Sequence, residues 1–299
     1  MTTTKAPFHS YLEKQSNFRQ KWKDYLKLNS RFDLTDRLDE LTPFHGTTEY
    51  KKLSNEKKNN LFLNHIRLMA EALIVLEQIL LFGYYTNRHR PNYATQTFSK
   101  PFTQFTVEEL YHSMAFKHFL YSHSIFHQFP NPLITNCHWM KNAFAFIVRH
   151  FPGALYICSP RLEALSLAYY TEIKQAYPNG AENNWLKLHQ LHYEDEIYHI
   201  PLNYHFHDTF VKDHGFIKTF FGAILFFMMM QIMLLKVAYE AMSQTFPEKG
   251  KISRAVWTFK YILWSIFVAK ASKGSRPIMK KNFQKMKPKY GFAFYFLSK

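Results

Sequence analysis

Residues 188–199 read LHQLHYEDEIYH, and the architecture of the chain can be reasoned outward from them. His192, Glu196 and His199 stand at i, i+4 and i+7. On an α-helix advancing about 100° per residue, these three side chains fall within about 60° of one another. One helical face therefore presents two imidazoles and a carboxylate to a single point. Residues 107–112, VEELYH, contain a second Glu-x-x-His, Glu109 and His112, which aims one carboxylate and one imidazole in the same way.

Two Glu-x-x-His helices, each accompanied by a long helix carrying one further glutamate, form the ligand pattern of a carboxylate-bridged two-metal site in a helical bundle. Carboxylates bridge two cations and change between one- and two-oxygen binding, while neutral imidazoles cap each metal. The upstream glutamates are chosen by pseudo-twofold spacing. Glu77 precedes Glu109 by 32 residues and Glu163 precedes Glu196 by 33, whereas the alternatives Glu71 and Glu172 give 38 and 24. Glu77 also lies among apolar neighbours, where an ionised carboxylate needs a compensating partner.

The rest of the chain reads as helix. Ser54 precedes a run, 59–85, in which Leu61, His65, Leu68, Ala72, Leu76, Ile79 and Phe82 recur at three- and four-residue spacing. Thr106, followed by Glu108 and Glu109, reads as a helix start with acids at the positive end of the dipole, after a loop over 83–103. Pro130 and Pro132 end that helix; further helices are expected over 136–149, over 161–176 with Pro160 in the first turn, over 182–208, and over 216–243. Pro178, Asn179 and Gly180 mark a turn. No stretch shows sustained period-two alternation, so the expected fold is all-α, a ferritin-like helical bundle with a dimetal site in its core.

The series Glu77, Glu109-x-x-His112, Glu163 and His192-x-x-x-Glu196-x-x-His199 resembles that of the p-aminobenzoate N-oxygenase family of diiron proteins. The extra histidine four residues before the second glutamate, here His192, is the distinguishing mark. The strongest local matches are 107–112 and 188–199, and the resemblance covers roughly residues 45–240. It implies seven metal ligands (Glu77, Glu109, His112, Glu163, His192, Glu196 and His199), a homodimer, and a centre of two iron ions. Fe/Mn or Mn/Mn suits the same donors. It further implies that dioxygen is the co-substrate, that a small organic molecule such as an aryl amine is oxidised, and that an external reductase or ferredoxin supplies electrons. The alternatives are a diiron enzyme acting on an acyl or lipid-linked substrate at a membrane surface, and a non-catalytic metal-binding bundle. Tyr111, Phe116, Tyr169, Tyr170, Tyr198 and Phe206 surround the series as either substrate pocket or ordinary core. His118, His123, His127, His205 and His207 are read as hydrogen-bonded or solvent-facing.

Charge and composition bound the other possibilities. The 299 residues carry 38 lysines and arginines against 22 acids, a formal +16, but from Lys249 onward there are thirteen basic residues and no acidic one. The first 248 residues hold only +3. The expected division is an N-terminal segment 1–50, with a short helix near 18–28, a bundle 51–245, and a basic, aromatic-rich tail 246–299. Lysines beside Trp257, Tyr261 and Trp264 suit contact with anionic lipid, and equally a partly packed tail; no nucleic-acid-binding module accompanies the charge. The uncharged run 219–235 is just short of a membrane span, and its first reading is a core or dimer-contact helix. No Gly-x-Gly-x-x-Gly or phosphate-binding loop is present. The two cysteines, Cys137 and Cys158, cannot make a disulfide framework, and residues 1–12 lack the apolar run of a secretory signal. The expected location is the cytoplasm, with membrane-peripheral attachment through the tail as the alternative.

Overall fold

The computed structural model describes residues 17–27, 32, 39–87, 96–127, 138–176 and 183–271. All regular structure among them is helical. In chain order the helices are α1 (Phe18–Lys27), α2 (Thr48–Lys51), α3 (Asn55–Asn87), α4 (Gln96–Ser122), α5 (His138–His150), α6 (Pro152–Ala176), α7 (Asn184–His214), α8 (Phe216–Thr245) and α9 (Lys251–Ala271). The sequence-expected turn at Pro178–Gly180, the breaks at Pro130 and Pro132, Cys137, the first sixteen residues and the basic run after Ala271 lie outside the described residues.

Local chemistry sets several helix ends. Ser54 Oγ accepts from the Lys57 backbone N–H at 3.3 Å, capping α3. Pro152 opens α6 at a position where its missing N–H goes unneeded. Two boundaries differ from the sequence reading. Helix α4 begins at Gln96 and runs through Pro101, so Glu108 and Glu109 are mid-helical rather than N-terminal. Helix α6 likewise continues through Pro160. In α4, Phe102 and Phe105 are buried with their rings 5.4 and 4.5 Å from that of Tyr84. Aromatic burial of this kind outweighs one lost backbone hydrogen bond, so packing overrides the local breaker signal.

Helices α3 and α4 pack along each other, as do α6 and α7, and contacts of α4 with α7 and of α3 with α6 close a ring of four. Helix α8 covers α3, α5 and α6 from outside. Gly222 on α8 permits that approach: a β-carbon there would overlap the Cβ of Phe151. The terminal segments are not mere appendages. Phe18, Trp22 and Tyr25 of α1 are buried in the core. From α9, Tyr261 meets His65 Nδ1 at 2.9 Å, and Trp257 stacks on Phe246.

Candidate metal centre

The four-helix ring turns its carboxylates and imidazoles inward. Helix α3 supplies Glu77, α4 supplies Glu109 and His112, α6 supplies Glu163, and α7 supplies His192, Glu196 and His199, and all seven side chains are buried. His112 Nδ1 lies 3.3 Å from Glu109, 3.4 Å from Glu196 and 4.0 Å from Glu77. His199 Nδ1 lies 3.4 Å from both Glu109 and Glu196. His192 Nε2 lies 3.0 Å from Glu77 and 3.1 Å from Glu196.

These contacts resolve into two overlapping groups able to hold a metal ion: Glu77, His112, His192 and Glu196, and then Glu109, His112, Glu196 and His199. Within each group the donor atoms lie within 4.8 Å of one another. Donors bound at about 2.1 Å around one cation stand roughly 3.0–3.4 Å apart, close to the separations found. Glu163 sits beside the groups rather than within either; Asn203 donates to its Oε1, and Tyr84 in turn donates to Asn203 at 2.6 Å. Of the alternatives raised by spacing, Glu71 is turned to Arg67 at 2.9 Å, and Glu172 is only half-buried.

Many of the atoms facing the centre are left unmet by the protein. No hydrogen-bond donor reaches Glu77 Oε2, either oxygen of Glu109, Glu163 Oε2 or Glu196 Oε2, and His112 Nδ1 likewise makes no hydrogen bond, although all are buried. Buried polar atoms are nearly always satisfied, so this concentration at one point fits a set of donors built for cations. Oxygen and imidazole nitrogen together suit a divalent metal ion.

Without a metal the cluster must hold protons. Burial, reinforced by the neighbouring charge of Glu77, keeps Glu109 protonated well above the carboxylate range, and burial with Glu196 does the same for Glu163. Burial opposes ionisation of Glu77 and Glu196 too, yet it is outweighed. The hydrogen bond with His192 and the charges of His192 and His112 hold Glu77 low, and the charges of His199 and His192 hold Glu196 well below its usual range. Against its own burial, His192 is raised to about 10 by Glu196, and His199 is raised by the same carboxylate. Metal binding would release these protons.

An outer layer fixes the imidazoles. His199 Nε2 donates to Glu108 at 2.7 Å, and His112 Nε2 lies 3.2 Å from Asp195, while Ser166 Oγ meets His192 Nδ1 at 2.9 Å. The two carboxylates cross over: the acid preceding the glutamate on α4 orients the histidine of α7, and the acid preceding the glutamate on α7 orients the histidine of α4. Such partners set tautomer and ring direction and raise ligand basicity. Asp195 is itself held by Trp22 Nε1 at 2.8 Å and Lys21 Nζ at 2.7 Å, both on α1. Phe105 and Phe116 pack against His199 and His192, with ring centres 4.2 and 5.3 Å away, and Trp22 packs 5.2 Å from His112. These rings seal the centre.

Sequence reasoning placed Glu108 at a helix end and passed over Asp195. The signal was available, because an acidic residue directly precedes the glutamate of both Glu-x-x-His motifs. Trp22 and Lys21 carried no such signal. The bland reading of the other histidines agrees with His123, whose Nδ1 meets the Phe119 carbonyl at 2.6 Å, and with His127, whose Nε2 meets the Tyr121 carbonyl. The side chains of His205 and His207 lie outside the described residues. Comparison of the chain with protein families, curated proteins and solved structures finds no match.

Proposed function

We propose that the helical ring is a ferritin-like bundle holding two metal ions, and that the protein is a non-haem diiron oxygenase of the kind the p-aminobenzoate N-oxygenases represent. One observation carries this reading: six side chains from three helices direct donor atoms to a common point, and most of those atoms have no other hydrogen-bond partner, while the outward nitrogens of the three histidines are all held. Glu77 and His192 would serve one metal, and Glu109 and His199 the other. Glu196 and His112 are common to both groups and would complete the set. Glu163 would join the set through its buried, unpartnered Oε2.

Bound iron would supply the redox chemistry that activates dioxygen for transfer to a small organic substrate such as an aryl amine. The chain's own residues prepare for it. Glu108, Asp195 and Ser166 orient the imidazoles, Glu109 and Glu163 give up protons as the cations enter, and the aromatic shell excludes bulk water. Electrons would come from an external reductase, and a homodimer is the expected assembly. Metal analysis and spectroscopy of protein loaded anaerobically with iron test the reading. About two ions per chain are expected, with binding lost in Glu196→Ala and His199→Ala. Fewer than two, or unchanged binding in these variants, overturns it. Dioxygen consumption coupled to conversion of an added aryl amine tests the oxygenase assignment separately.

A further inference from the structure

Helix α8 is apolar on two opposite sides. Ala223, Phe226, Met230, Met233 and Val237 are buried on the side facing the bundle. On the other side Ile217, Phe221, Met228, Ile232 and Leu235 are exposed, Ile217 to 83%. At about 100° per residue these five fall within about 60° and extend over roughly 27 Å of helix. Helix α9 repeats the arrangement. Its Thr258 and Tyr261 are buried, while Ile252, Val256, Phe259 and Leu263 form an exposed stripe within about 60°, Ile252 at 84% and Phe259 at 62%. Soluble surfaces do not carry two such stripes without a partner to cover them.

The charge identifies that partner. Lys218 and Lys236 bracket the α8 stripe, and Lys251 and Lys260 flank that of α9, with Lys260 tied to Glu49 at 2.8 Å. From Lys249 to the C-terminus the sequence has thirteen basic residues and no acid. A second copy laid on α9 would bring like charge against like charge. An anionic bilayer accepts both features: apolar side chains enter the headgroup boundary, and each lysine or arginine near the surface strengthens attachment about fivefold. The buried side of α8 is committed to α3, α5 and α6, so the helix offers the membrane a flank and not a span.

We propose that the exposed apolar faces of α8 and α9, with the lysines beside them, dock the protein on the surface of an anionic lipid bilayer. This inference is independent of the metal centre.

The test uses the full chain in flotation with vesicles of phosphatidylcholine alone or mixed with phosphatidylglycerol. The protein is expected to float with the anionic vesicles at low salt, more weakly at high salt, and poorly with the neutral ones. Replacing two exposed residues, Ile252→Glu with Phe259→Glu, should lower the bound fraction roughly tenfold or more while leaving helicity and metal content unchanged. Ile217→Glu with Met228→Glu tests the α8 face in the same way. Failure to float with anionic vesicles overturns the proposal, as does unchanged flotation of both variants. So does light scattering that shows a dimer which the glutamate variants dissociate while vesicle binding persists.

Discussion

Neutralising two glutamates of the same centre should have very unequal consequences for the metal-free protein. In the absence of metal, Glu109 is a buried neutral acid beside Glu77, and a glutamine at that position is equally uncharged. Glu109→Gln should therefore change the stability of chelator-treated protein by less than about 0.5 kcal/mol. Glu196 is instead an anion holding two charged imidazoles. His192 is lifted from its ordinary 6.5 to about 10, a pairing worth about 4 kcal/mol at pH 7, and breaking a buried pair typically costs about 3–5 kcal/mol. For 299 residues the entropy of unfolding is about 0.6 kcal/mol/K, so Glu196→Gln should lower the Tm of metal-free protein by roughly 5–8 °C. The sign with pH follows. A raised histidine pKa stabilises fully below the unfolded value near 6.5 and loses that contribution as pH rises towards 10, so the gap between wild type and Glu196→Gln should narrow in that window. With metal added both variants fall further below the wild type, because both have lost an anionic ligand; a hundredfold loss of affinity removes about 2.7 kcal/mol of ligand stabilisation. Thermal melts with chelator and with iron, from pH 6 to 9, measure all of this. If Glu109→Gln destabilises the metal-free protein as much as Glu196→Gln does, the assignment of protons within the cluster is wrong.

Removing the outer carboxylate in Glu108→Gln should weaken metal binding about 10- to 100-fold with the ligands intact, as read by chelator competition. His65, buried on α3 and driven down to about 4 by that burial, makes a depressed-pKa contribution of the opposite pH sense. The folded protein should lose about 3 kcal/mol as pH falls from 6.5 to 4, because only the unfolded chain takes up the proton freely, and His65→Gln should flatten that part of the denaturation profile. Gly222→Ala places a β-carbon onto that of Phe151, which cannot move without its backbone. A loss of about 1–3 kcal/mol in denaturant unfolding is expected.

The alignment of His192, Glu196 and His199 on one face is a consequence of helical pitch, and so is that of Glu109 and His112. Both could be read before any fold was known, as could the all-helical character, because periodicity is a local property. Helix ends were less legible. Pro101 is a valid breaker signal, overridden by the burial of Phe102 and Phe105 against Tyr84, and a residue 17 positions earlier in the chain cannot be recognised as a packing partner from spacing.

The centre's surroundings belong to tertiary structure. Glu108 reaches His199 across 91 residues, Asp195 reaches His112 across 83, and Trp22 reaches Asp195 across 173. Glu71 and Glu77 are nearly equivalent in sequence, yet one meets Arg67 and the other His192. Nor could composition tell which side of the apolar helix α8 faces the core and which faces outward. By itself the sequence determined which side chains share a helical face, since backbone geometry dictates that residue by residue. Which faces meet, and which remain uncovered, was decided only by the packing of helices far apart in the chain, where burial of shape-matched apolar surface selects the neighbours.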